Sequence, residues 1–169
     1  MKYAKKIILI ALSAMALCVV GMTAIPATTA DASTHTTRQV KKLPNSFVKN
    51  WKSHGTAYSD GYSFGVNGNM NLKGNRFKLT ISVTYAGTSM NRQSFGGKFT
   101  KITKISKNNY KATYTDTATG EQGVLRMQLQ TKKFHGKKYK VLKNNGFYFF
   151  KTMAQAKKSG YDLGSSLGL

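Results

Sequence analysis

The chain has 169 residues, with 27 lysines and arginines against 5 aspartates and glutamates, so its formal net charge is +22. This length favours a single domain, and the 40% of apolar residues can build a core, which argues against a wholly disordered chain. So few carboxylates leave little material for acid–base catalysis, while the positive charge favours anionic partners.

Residues 1–32 have the pattern of an export signal peptide. Three lysines precede an apolar run over residues 7–20, and Ala30-Asp31-Ala32 is a small-x-small cleavage site. The apolar run is nearly long enough for an uncleaved membrane anchor, which is the alternative. The lone Cys18 lies within this run. Cleavage would therefore leave 137 residues without thiol chemistry and with a net charge of 24 − 4 = +20.

The mature chain is predicted to begin with a flexible basic leader over residues 33–42. A first strand is expected near Ser46 to Trp51, after Pro44, and turns are expected at Ser53-His54-Gly55 and Ser59-Asp60-Gly61. Residues 62–66 alternate between apolar and polar types, and Asn67-Gly68-Asn69 indicates a bulge or bend.

The clearest strand is residues 76–86, where every odd position is apolar and the even positions are polar or small. Period-2 alternation of this length is typical of a strand with one buried face. The buried side is predicted to carry Phe77, Leu79, Ile81, Val83 and Tyr85.

Further strands are predicted within residues 95–105, 110–114, 124–131, 139–141 and 147–150. Gly96-Gly97 permits a sharp bend, and Arg126 falls on the outward side of its strand. Asn145-Gly146 is a strong hairpin signal.

These patterns predict an all-β domain over residues 43–152. The short connections favour sequential antiparallel pairing in a meander of about eight strands. Such a meander hides its edges best by closing into a small barrel or a flattened sandwich. Residues 153–169 are predicted to form a short helix, Met153 to Ser159, and a flexible Gly/Ser tail.

Catalytic groups are sparse. Asp116 and Glu121 share one polar loop and are the only plausible carboxylate pair for a secreted hydrolase, although turn formation explains both. The residues 164–168 match G-x-S-x-G, but a nucleophile elbow needs a strand before the serine and a helix after it. The histidines at positions 35, 54 and 135 lack the spacing of a metal site, so no metal, cofactor or catalytic residue is predicted.

Lysine clusters are the most informative polar feature, and they favour electrostatic binding of a polyanion. Anionic wall polymer of a Gram-positive cell is the leading candidate, with retention of the secreted protein at the cell surface by charge. Nucleic acid is less favoured, because the aromatic residues fall on the inward side of the strands rather than beside the lysines. The predicted polyanion-binding residues are Lys98, Lys101, Lys104, Lys107, Lys132, Lys133, Lys137, Lys138 and Lys140.

A small apolar ligand inside the barrel is the alternative function, since eight-stranded barrels are wide enough to be packed or to hold one small molecule. The residues that would line such a cavity are Trp51, Tyr58, Tyr62, Phe64, Phe95 and Phe99.

The pattern Leu43-Pro44-x-x-Phe47-x-x-x-Trp51, together with Lys140-Val141-Leu142 and Phe149-Phe150-Lys151, resembles small secreted proteins of unknown function from lactic acid bacteria. These proteins are often lipocalin-like in outline, and the resemblance spans roughly residues 43–152. It implies a β-barrel and an envelope location. Lipocalins carry Gly-x-Trp at the first strand, whereas this chain has Lys49-Asn50-Trp51, and this departure argues against shared ligand binding. The resemblance implies no activity.

Overall fold

The computed structural model describes residues 37–168. The predicted signal peptide, the first part of the predicted leader and Leu169 lie outside the described residues. The elements are β1 (Arg38–Val40), β2 (Asn50–Ser59), β3 (Tyr62–Lys73), β4 (Arg76–Tyr85), β5 (Thr88–Ser106), β6 (Asn109–Asp116), β7 (Gln122–Phe134), β8 (Lys137–Asn144), β9 (Phe147–Phe149), α1 (Met153–Ser159) and α2 (Leu163–Ser166).

Strands β2 to β9 lie in the sheet in the same order as in the chain, and each is antiparallel to its neighbours. The prediction of an all-β meander of about eight strands is therefore confirmed. The long β5 pairs with β4 through its first half and with β6 through its second half. The change of partner falls at the Gly96-Gly97 pair, where a side chain on Gly97 would press against the Thr115 carbonyl.

Tight turns impose this topology. Four hairpins turn on an x-Gly pair in which both residues have positive φ, as type I′ turns require. These pairs are Asp60-Gly61, Ala86-Gly87, His135-Gly136 and Asn145-Gly146. A type I′ turn matches the right-handed twist of its strands, so each hairpin adds to the curl of the sheet.

Several local predictions differ from the structure. Residues 45–47 form a turn, and β2 begins only at Asn50 and then runs straight through the predicted turn at His54-Gly55. Strand β3 likewise continues through Gly68. Both glycines are packing positions, because a side chain at Gly55 would meet α2 and one at Gly68 would meet Phe149 and Leu163. The end of the predicted leader forms β1 on the edge of β5.

The two ends of the meander meet at one point. Lys52 N–H donates to the Phe150 carbonyl at 2.7 Å, and Phe150 N–H donates back to the Lys52 carbonyl at 2.6 Å. The sheet therefore curls into a partly closed barrel in which β2 lies beside the chain that follows β9.

Farther along β2, α2 takes the place of a neighbouring strand. Thr56 N–H donates to Asp162 Oδ1 at 2.8 Å. Asp162 is also the N-cap of α2, where it accepts the Gly164 N–H at 2.9 Å and the Ser165 hydroxyl at 2.8 Å. A side chain on Gly164 would overlap the Thr56 carbonyl, so the close contact between the two backbones requires glycine there.

The packing of α2 differs from the sequence prediction, which expected a flexible tail at the C-terminus. Leu163 is only 1% exposed and packs with Ala57, Val66 and Ile81 inside the barrel. The predicted helix α1 is present, capped by Thr152 and ended by Gly160 in the left-handed conformation.

Two clusters of buried side chains form the core inside the barrel, and a third lies outside it. Residues 43–47 cover one end, where Leu43 and Phe47 pack on Trp51 and the Phe47 ring meets Tyr110 edge-on at 5.0 Å. A second cluster fills the other end around Phe64 and Leu163. A third lies on the outer side of β8, where Val141 and Phe150 pack against Ala156 of α1.

Trp51→Ala should destabilise the protein by about 3–5 kcal/mol, because Trp51 is 1% exposed and its removal would leave a large cavity. Trp51→Phe should cost less, about 1–3 kcal/mol, since it removes mainly the 2.9 Å hydrogen bond from Nε1 to the Phe47 carbonyl. Urea denaturation followed by circular dichroism measures both. An unchanged midpoint for Trp51→Ala would contradict the assigned core.

Asp162→Asn should weaken the contact that joins α2 to β2, here named the seal, in which Asp162 accepts the Thr56 N–H. The effect on stability should depend on pH. Burial raises the pKa of the Asp162 carboxyl, but hydrogen bonds from Thr56, Gly164 and Ser165 outweigh it and lower the pKa below its usual 3.8. A lowered folded-state pKa gives stability that is present above about pH 4 and lost as the pH falls through the folded value.

The wild type should therefore lose more stability on acidification below about pH 4 than Asp162→Asn does, and the variant should be the less stable at pH 7. Asp60→Asn is the matched control, since Asp60 is exposed in the turn between β2 and β3. Equal acid dependence of the wild type and Asp162→Asn would count against the seal.

Candidate anion-binding surface and apolar cavity

Strands β4 to β8 present a continuous basic surface on the outside of the barrel, here named the outer basic face. Buried residues alternate with these cations, for example Phe77 beside Lys78 and Ala112 beside Lys111, so strand parity turns the cations outward. The face consists of Arg76, Lys78, Lys98, Lys101, Lys111, Arg126 and Lys143.

Within this face cations stand directly opposite one another on neighbouring strands. Arg76 pairs in register with Lys98, and Lys111 pairs with Arg126. Lys143 on the next strand stands opposite Gln128, two residues along β7 from Arg126 and on the same side of the sheet. Like charges in opposed positions destabilise a sheet. Solubility alone does not require this arrangement, because interspersed acids would serve it better.

The four carboxylates of residues 37–168 are Asp60, Asp116, Glu121 and Asp162, and none belongs to the outer basic face. Asp116 accepts the Ala118 and Thr119 N–H groups at 2.7 and 2.9 Å and so shapes the loop between β6 and β7. Asp162 seals α2 against β2, and Asp60 lies in the turn between β2 and β3. The outer basic face is therefore left with an excess of positive charge.

The hairpin of β7 and β8 carries a second group of cations, the basic hairpin, composed of Lys132, Lys133, Lys137, Lys138 and Lys140. All five are exposed, and Lys133 stands opposite Lys138. The hairpin contacts α1, because the Tyr139 hydroxyl donates a hydrogen bond to the Lys158 carbonyl at 3.4 Å. Lys132 lies 5.4 Å from the centre of the Tyr148 ring.

The structure divides the predicted polyanion-binding residues among four places. Lys98 and Lys101 belong to the outer basic face, and the five residues from Lys132 to Lys140 form the basic hairpin. Lys104 stands opposite Arg38 of β1, and Lys107 lies in the turn between β5 and β6. The prediction omitted the other five residues of the outer basic face, because their proximity depends on strand register. These are Arg76, Lys78, Lys111, Arg126 and Lys143. Arg126 was nevertheless predicted to point outward, and it does.

Inside the barrel lies an apolar cavity of about 50 Å³. It is lined by Leu79, Ile81, Phe95, Tyr114, Leu125, Asn144, Asn145, Phe147, Phe149, Leu163 and Leu167. Burial, with smaller contributions from Asp116 and Glu121, raises the pKa of the Tyr114 hydroxyl.

Of the residues predicted to line a cavity, Phe95 alone lines this one. Trp51, Phe64 and Phe99 are buried in the packed core, while Tyr58 and Tyr62 are 73% and 54% exposed. Tyr85, predicted to point inward, is also partly exposed and contacts Phe64 and Tyr62 at the end of the barrel. The cavity lies farther along the barrel, where β9 is too short to cover the interior and α2 covers it instead.

The residues considered for catalysis are dispersed. Within residues 37–168 no group of three or more His, Cys, Asp and Glu side chains could hold a metal ion. Ser166, the serine of the G-x-S-x-G match, lies in α2 and donates to the Asp162 carbonyl at 2.8 Å. It follows the capping turn of Asp162 rather than a strand, so the local geometry differs from a nucleophile elbow.

Comparisons with protein-family models, with curated proteins and with solved structures find no match to this chain. Among residues 37–168, neither helix has the length and apolar character needed to cross a membrane.

Lys111→Gln should stabilise the protein by about 0.2–1 kcal/mol at low ionic strength, because it removes one member of the opposed pair with Arg126. The gain should disappear in about 1 M salt, where screening acts over only about 3 Å. Thermal unfolding at both ionic strengths is the measurement, with Lys151→Gln outside the strands as the control. Equal effects of the two variants would show that the opposed pair carries no strain.

Proposed function

We propose that the protein is an exported, non-catalytic envelope protein that binds anionic wall polymer, or another extracellular polyanion, through its outer basic face. The observation that carries this proposal is the set of opposed cation pairs on adjoining strands, Arg76 with Lys98 and Lys111 with Arg126. A polymer with repeated negative charges would neutralise these cations together.

Each opposed pair costs stability in the absence of a partner, and a bound polyanion removes that cost while releasing its own counterions. Neighbouring strands lie about 4.8 Å apart, so cations on β5 to β8 form a dense row across the sheet. The binding would be sensitive to salt and tolerant of the detailed structure of the polymer.

The type of cation supports a polymer recognised by charge rather than by shape. The chain has 23 lysines and 4 arginines. Lysine acts as a mobile point charge, whereas arginine makes paired hydrogen bonds in a fixed plane. A lysine-rich surface therefore suits a flexible phosphodiester or carboxylate polymer.

Nucleic acid is the less favoured polyanion. Binding of single strands commonly uses aromatic rings that stack on bases beside a basic groove. Here Phe77, Tyr110 and Tyr114 are each less than 5% exposed and lie on the inner side of the sheet. The strands of the outer basic face thus offer their charges without these rings.

Two triple variants with the same change in charge test the location of the site. The first, Lys111→Gln/Arg126→Gln/Lys143→Gln, alters the outer basic face, and the second, Lys133→Gln/Lys137→Gln/Lys138→Gln, alters the basic hairpin. Calorimetry measures the binding of the mature protein to polyglycerol phosphate at salt concentrations from about 50 to about 500 mM. The first variant should lose about tenfold or more in affinity, and the second clearly less.

Equal losses in the two variants would mean that net charge alone governs binding, and would overturn the assignment to the outer basic face. Affinity that stays constant across the salt series would overturn the electrostatic proposal itself. A salt wash of intact cells, followed by detection of the released protein, tests retention at the surface in the same way.

A further inference from the structure

We propose that the apolar cavity is a binding site for the alkyl end of an anionic amphiphile whose head group rests on Arg126 and Lys143. The site differs from the cavity predicted from the sequence, and its ligand class goes beyond a polymer bound to the outside of the barrel. The head-group contact rests on the proposed function, because it uses two cations of the outer basic face, whereas the alkyl contact does not.

The size and lining of the cavity select the alkyl end. Nine of its eleven lining residues are aliphatic or aromatic. A volume of about 50 Å³ is several times what one water needs, yet about a third of a cavity known to hold benzene. A few methylene groups therefore fit, and a planar ring does not.

Five lining residues are only partly buried, and they show where the rest of a ligand would leave the cavity. Leu79 and Phe95 lie on β4 and β5, whereas Asn145, Phe147 and Leu167 lie together at α2 and the β8–β9 turn. We take the opening to be at this second place, because an α-helix rather than a strand forms the wall there. This opening exists because β8 ends at Asn144 while β7 extends beyond it, and the side chain of Asn145 takes over the pairing.

Charge at this opening selects an anionic head group. Asn145 Oδ1 accepts the Arg126 N–H at 3.0 Å, and Asn145 Nδ2 donates to the Val124 carbonyl at 3.3 Å. Arg126 directly follows the lining residue Leu125, and Lys143 directly precedes the lining residue Asn144. Both cations point to the outside of the barrel from the two strands, β7 and β8, that border the opening. A head group that emerges there would therefore meet positive charge on the outer side of these strands.

Decanoate, well below its micellar concentration, is the probe, and 1-decanol is its neutral counterpart. Binding is followed by calorimetry and by methyl chemical shifts of the mature protein. Decanoate should shift the methyl signals of Leu79, Ile81, Leu125, Leu163 and Leu167. Arg126→Gln should weaken decanoate about two- to fivefold and leave decanol unchanged, as expected for one partly solvated charge.

Leu167→Trp should fill the cavity and abolish the methyl shifts, while leaving the affinity for polyglycerol phosphate unchanged. Ile105→Trp is the matched control, because Ile105 is also partly buried but lies outside the cavity wall. Arg92→Gln is the control for charge, since Arg92 stands opposite Ser82 on a different part of the sheet.

Shifts confined to the outer strands, with none at the cavity methyls, would overturn the cavity proposal and leave the polyanion proposal standing. Decanol binding as tightly as decanoate would overturn the role given to Arg126 and Lys143. If the wild type does not bind polyglycerol phosphate but decanoate still shifts the cavity methyl signals, the polyanion proposal alone is overturned.

Discussion

The free edge of β2 is the constraint on which the rest of the structure depends. A meander of eight strands leaves an unpaired edge at each end, and unpaired N–H and C=O groups must find partners. Here the β2 edge is divided between two partners. Phe150 pairs with Lys52, and Asp162 binds Thr56 through its side chain. Both partners come from the C-terminal part of the chain, so the barrel closes only after that part has folded back onto β2.

This division of the edge also explains why one barrel carries both a packed core and a cavity. Where Lys52 meets Phe150, the backbones of β2 and the chain after β9 are in direct contact, and the interior is filled around Trp51. Where α2 replaces a strand, the wall is made by two leucine side chains, Leu163 and Leu167, which leave a space beneath them. The outer basic face depends on the same curvature, because the polar side of each strand lies on the outer surface of the curled sheet.

The sequence predicts the features that depend on neighbours along the chain. Alternation predicted the strand of residues 76–86, and Asn145-Gly146 predicted a hairpin, because both signals are local. Gly55 and Gly68 were interpreted as turn or bend residues, whereas their role is contact with α2, Phe149 and Leu163. Nothing local distinguishes a glycine that turns the chain from one that makes room for a distant segment. Asp162 and Thr56, 106 residues apart, illustrate the same limit.

The candidate surface was predictable in composition but not in arrangement, and the difference is physical. Runs such as Lys132-Lys133 and Lys137-Lys138 are visible along the chain, so the basic hairpin was predicted complete. Lys111 and Arg126 are single cations separated by 15 positions, and only antiparallel register places them opposite each other. A shift of one residue would turn either side chain into the core. The burial of Ala112 and Leu125 therefore fixes the register, and the register in turn brings the two charges together.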